Sequence, residues 1–145
     1  MRDMTYLAAT LGLTIIEERG AHAGGFRPGE ATIRLLPGLT ARDRRSVLAH
    51  EIGHYVLGHV PCPAGILHAR QERSASEWAA DRLISLAAYR DAENVREGHL
   101  ESIAHDLDVH PKIAAVYRDM LARIGDAVYL RPRMGLGQWD HKSAA

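Results

Sequence analysis

The chain has 145 residues, 46% of them hydrophobic and 25% charged, with formal net charge zero and a pI near 7.1. Such a length and balance fit one globular domain able to bury a core. They give no electrostatic reason to expect nucleic acid or an anionic membrane as partner. The single cysteine, Cys62 in "HVPCPAG", excludes an internal disulfide and a cysteine zinc cage, and reads as a loop thiol.

In chain order, residues 3–11 read as a short helix stopped at Gly12, and "LTIIEE" (13–18) as a strand. The apolar run "YLAATLGLTII" is broken by threonine and glycine, too short to span a bilayer, and lacks a signal-peptide cleavage region. A cytoplasmic location is the expectation. Pro28-Gly29 marks a turn, "ATIRLLP" (31–37) a second main strand, and "HAGGF" a short third one, together a small antiparallel sheet.

From Thr40 the period becomes helical. Thr40 and Asp43 resemble a capping box, and Val47, Leu48, Ile52, Tyr55 and Val56 recur at helical spacing up to about Gly58. Residues 59–71 read as a loop and "SASEWAADRLISLAAYR" as a second helix. "EGHLESIAHDLDVHPKIAAVYRDMLARIG" reads as two helices broken around Val109-His110-Pro111. "AVYLRP" reads as a terminal strand, and 133–145 as a loose tail.

The helix that starts after Thr40 carries His50-Glu51-Ile52-Gly53-His54. Composition alone would produce H-E-x-x-H roughly 0.03 times in this chain, so the pattern calls for a chemical reading. Residues four apart share a helix face, so His50 and His54 can direct two imidazoles at one ion. Glu51 lies beside the open position, where it can take a proton from the attacking water.

A third ligand is required. The metzincin arrangement is excluded, because Leu57 and Val60 stand where its glycine and histidine would be. His59, His68, His99 and His105 remain formal candidates. Glu77 is the better one, near the start of the second helix, with Glu72 as the fallback. Asp81, one turn after Glu77, could accept an N–H from a ligating histidine. The competing structural reading makes Ser74-x-x-Glu77 a capping box and Asp81 part of a solvated face. Candidate donors for a developing oxyanion are Tyr117, His99, His105 and His110, with no choice among them and a structural role as the competing reading of each. Between residues 99 and 124, Lys112, Arg118 and Arg123 are outweighed by Glu101, Asp106, Asp108 and Asp119, which argues against a DNA-binding role.

With "EWAADRLIS" (77–85) downstream of the histidine pair, the sequence resembles the ImmA/IrrE-type zinc metallopeptidases. Their pattern is H-E-x-x-H, a loop, then E-x-x-A-x-x-F-A-x-x-L-L. The resemblance spans residues 5 to about 121 and is specific from 31 to 86. It implies an α+β domain with a small antiparallel sheet, a zinc-binding helix, a glutamate helix and a helical C-terminal part at 92–125. It implies His50, His54 and Glu77 as ligands of Zn2+ (Mn2+ being possible) and Glu51 as general base. Asp81 is implied as their outer support, by similarity to glutamate-ligand zinc peptidases in general.

The resemblance further implies a metallo-endopeptidase that cleaves, or triggers loss of, a helix-turn-helix transcriptional repressor in bacteria, mobile elements or phages. A non-proteolytic module that sequesters a repressor is the alternative. Leu83 stands where that alignment has an aromatic residue, and "SLAAY" where Met-Pro often ends the second helix. His110 and Tyr117 replace the usual serine and arginine.

Overall fold

A computed structural model describes residues 3–130, with side chains through residue 123. Helix α1 (Met4–Thr10) is capped by Asp3, whose carboxylate accepts from the Thr5 N–H. Three strands follow, β1 (Thr14–Glu17), β2 (Gly24–Arg27) and β3 (Thr32–Leu35), with a 3-10 turn at Pro28–Glu30. The α+β class stands as read from the sequence, but the sheet is mixed. Its order is β1-β3-β2, with β1 parallel and β2 antiparallel to β3. The turn at Pro28–Glu30 makes β2 and β3 a hairpin, while the longer excursion after β1 lets that strand run beside β3 in the same direction.

Helix α2 (Ala41–Val56) begins where Thr40 Oγ1 accepts from the Asp43 N–H. It buries Leu48, Ala49 and Ile52 against Ile33 and Leu35 of β3 and against α3 (Ile66–Leu83). The loop expected at 59–71 is therefore shorter, because α3 starts at Ile66. The single helix expected across 74–90 is two. It breaks at Ile84-Ser85, and the Ser85 hydroxyl accepts from the Ala88 N–H to cap α4 (Leu86–Val95).

The break around Val109-His110-Pro111 separates α5 (Leu100–Leu107) from α6 (Pro111–Leu130), as the proline dictates. The strand expected at "AVYLRP" is instead a continuation of α6 as far as Leu130, and the expected tail at 133–145 lies outside the described residues. Tyr89, Ile103, Val109, Ile113 and Tyr117 close the core on the helical side. Arg45 of α2 donates to the carbonyls of Leu83 and Asp108, tying the end of α3 and the α5–α6 turn to α2. No described helix is long and apolar enough to cross a membrane.

Candidate metal centre

Ser46, His50 and His54 follow at intervals of four along α2 and so share one of its faces. The two imidazoles meet edge to face, with Nε2 atoms 3.1 Å apart. From α3, Glu72 closes the group: its Oε1 lies 3.2 Å from His50 Nε2 and its Oε2 3.0 Å from His54 Nε2. Glu51 also belongs to the cluster, with ligand atoms of His50, Glu51 and His54 all within 4.8 Å of one another. Glu72 is nonetheless the carboxylate closest to both rings.

The far side of each ring is held as well. His50 Nδ1 is 3.0 Å from Ser76 Oγ, one turn beyond Glu72 on α3. His54 Nδ1 is 2.9 Å from His59 Nδ1. A Schellman turn brings His59 there: Gly58 is left-handed at φ +70, and the His59 and Gly58 N–H groups return to the carbonyls of His54 and Tyr55. Gln71 fastens the next stretch by bonding Val60 through both N–H and C=O and by donating to Cys62 Sγ. Asp81, expected from the sequence as a supporting group, is exposed on α3, and the groups beside the outward ring nitrogens are Ser76 and His59. Glu77 sits in the same cleft with its Oε2 2.6 Å from the Arg123 guanidinium.

The electrostatics suit a cation. Burial, with smaller contributions from the facing imidazole, pushes His54 down to about 4, and burial likewise lowers His50 despite the adjacent Glu72. Both rings are then neutral at pH 7, the form a metal takes. Ser76 Oγ and His59 Nδ1 can each accept from the outward Nδ1 of a ring, and in that tautomer both Nε2 atoms present lone pairs toward the Glu72 carboxylate. In that tautomer three potential metal ligands converge: His50 Nε2, His54 Nε2 and the Glu72 carboxylate. Their 3.0–3.2 Å spacings are close to those of ligands about 2.0–2.1 Å from a shared tetrahedral ion. His50, His54 and Glu72 therefore fit a zinc-sized cation.

Glu51 is 7% exposed. Burial, with help from the negative Glu72 and against Arg34, raises it to about 7, in the range useful to a proton acceptor at neutral pH. Strand β2 roofs it: a Cβ at Gly24 would come within 3.2 Å of Glu51 Oε2. The centre opens into a cleft of about 980 Å³ walled by β2, α3 and the start of α6.

Gly53, between the two histidines, sets how closely α3 can approach. A Cβ there would lie 2.9 Å from the Ala75 carbonyl oxygen and 3.2 Å from Ala75 Cα, both backbone atoms that cannot swing aside. Gly53→Val should thus lower stability by about 1–3 kcal/mol through overpacking. It should also reduce zinc uptake by moving Glu72 and Ser76 off the histidines. Denaturant midpoints read beside metal content check this, and a variant that matched wild type in both would refute it.

A family model described as the IrrE N-terminal-like domain of the M78 peptidases matches residues 8–118. No curated protein matches the chain.

Proposed function

The chain belongs to the IrrE N-terminal-like peptidase family, and on that premise we propose that it is a zinc-dependent endopeptidase whose metal is held by His50, His54 and Glu72. The observation that carries the reading is the convergence of two imidazole Nε2 atoms and one carboxylate, 3.0–3.2 Å apart, with Glu51 beside them. Zinc in that position supplies Lewis acidity and lowers the pKa of a water.

The chain's own residues do the rest. Glu51, enclosed by β2 and α2, accepts the proton of the attacking water and returns it to the leaving amine. Ser76 and His59 keep the two rings turned so that Nε2 faces inward. Glu77, paired with Arg123, belongs to the cleft wall in this reading.

The substrate we propose is a helix-turn-helix transcriptional repressor, cleaved in the cytoplasm of a bacterium or under phage or mobile-element control. The support is the family resemblance, together with an open cleft large enough for an extended peptide. The protein is not expected to bind nucleic acid itself. Incubation of the zinc-loaded protein with a panel of purified helix-turn-helix repressors tests this. At least one should be cut at a discrete site, cutting should stop on chelation, and stoichiometric zinc should restore it. Intact repressors throughout, with zinc bound, would leave the sequestration reading in its place.

A further inference from the structure

A peptidase of this kind needs a donor for the oxyanion that develops on the scissile carbonyl, and three of the four sequence candidates are engaged elsewhere. Tyr117 is buried in the core against Tyr89. His99 caps α5 through Ser102, and His105 has a side chain 83% exposed beside Asp106. His110 alone of the four lines the metal cleft.

Its placement is fixed at both ends. The His110 backbone N–H donates to Ser46 Oγ at 3.0 Å, and Ser46 lies one turn before His50 on the metal-facing side of α2. Ser46 and His50 are one turn apart along α2, so His110 meets the same helix face that carries the histidine pair. The Lys112 backbone N–H donates to His110 Nδ1 at 3.0 Å, capping the start of α6. Nδ1 is therefore an acceptor, and in the neutral ring the proton must sit on Nε2.

We infer that His110, held against Ser46 and locked by the Lys112 N–H as the Nε2–H tautomer, is the catalytic donor that stabilises the oxyanion in this cleft. This deepens the peptidase reading and rests on it. A serine would keep the cap, since its short hydroxyl can accept from the same N–H, but could not extend a donor into the cleft. Proline at 111 completes the helix start in either case. The imidazole thus adds a donor to a cap that does not need one.

The test uses the zinc-loaded full chain, with His110→Ser as the cap-preserving variant and His110→Gln as the donor-preserving one. The probes are N-phosphoryl-leucine, whose tetrahedral phosphoryl oxygens imitate the oxyanion, and acetohydroxamate, which binds zinc without that geometry. Zinc content should match wild type in both variants, and melting temperature in His110→Ser, with His110→Gln somewhat lower through loss of the cap. His110→Ser should weaken N-phosphoryl-leucine by at least tenfold, toward the ~10²–10³ typical of a lost oxyanion donor. It should leave acetohydroxamate unchanged, and His110→Gln should recover part of the loss. Imidazole 15N shifts of the metal-free protein should show His110 as the Nε2–H tautomer.

Equal phosphoryl affinity in wild type and His110→Ser, or an Nδ1–H tautomer, would overturn the assignment while leaving the metal centre intact. Failure of the zinc protein to bind either probe would remove the peptidase reading, and this assignment with it.

Discussion

Glu72→Gln should strip the protein of most of its zinc, while Glu77→Gln keeps it. Both glutamates are on α3 and both line the cleft, but only Glu72 lies 3.0–3.2 Å from the two Nε2 atoms. The amide removes the one negative charge that the ligand set contributes and replaces an oxygen with a poorly ligating nitrogen. The loss of affinity should exceed the ~10–100-fold that loss of an outer supporting group costs. Glu77→Gln instead breaks a half-exposed ion pair with Arg123, an interaction worth up to about 1 kcal/mol. Metal content after dialysis against a competing chelator separates the two. Zinc retained by the Glu72 variant and lost from the Glu77 variant would reverse the assignment.

Glu51→Gln should abolish cleavage and keep the metal. The side chain is nearly isosteric, and the site it fills is buried beneath Gly24 of β2. The carboxylate is buried, so its neutral replacement relieves a desolvation cost, and the melting temperature should equal or exceed that of wild type. Without a proton acceptor, turnover should fall by ~10²–10⁴. Zinc stoichiometry beside the rate of repressor cleavage gives the answer. If the variant cut nothing yet still relieved repression fully in cells, sequestration rather than proteolysis would be the function.

The histidine pair was legible in the sequence because it depends only on local geometry. The spacing of four is a property of any α-helix, and Thr40 and Gly58 delimit this one through short-range hydrogen bonds. The α+β class was legible for the same kind of reason, since each element announces its own period.

Which glutamate of α3 faces the two rings was not, because that depends on which turn of α3 crosses α2. Both Glu72 and Glu77 satisfy helical periodicity. The contact between Gly53 and the Ala75 backbone fixes the crossing, and with it Glu72 and Ser76 against the rings. One signal was present nonetheless. Read from Glu72, the family pattern meets Ala75, the aromatic Trp78, Ala79 and Leu83 but Arg82 at its first leucine, whereas from Glu77 it meets Ala80 but Leu83 in place of the aromatic.

The parallel pairing of β1 with β3, the start of α3 at Ile66, and the placement of His110 in the cleft were also decided only by tertiary structure. Each depends on which surfaces meet across the fold. Sequence determines directly what happens within a turn or two of helix, and packing of distant backbone decides the rest.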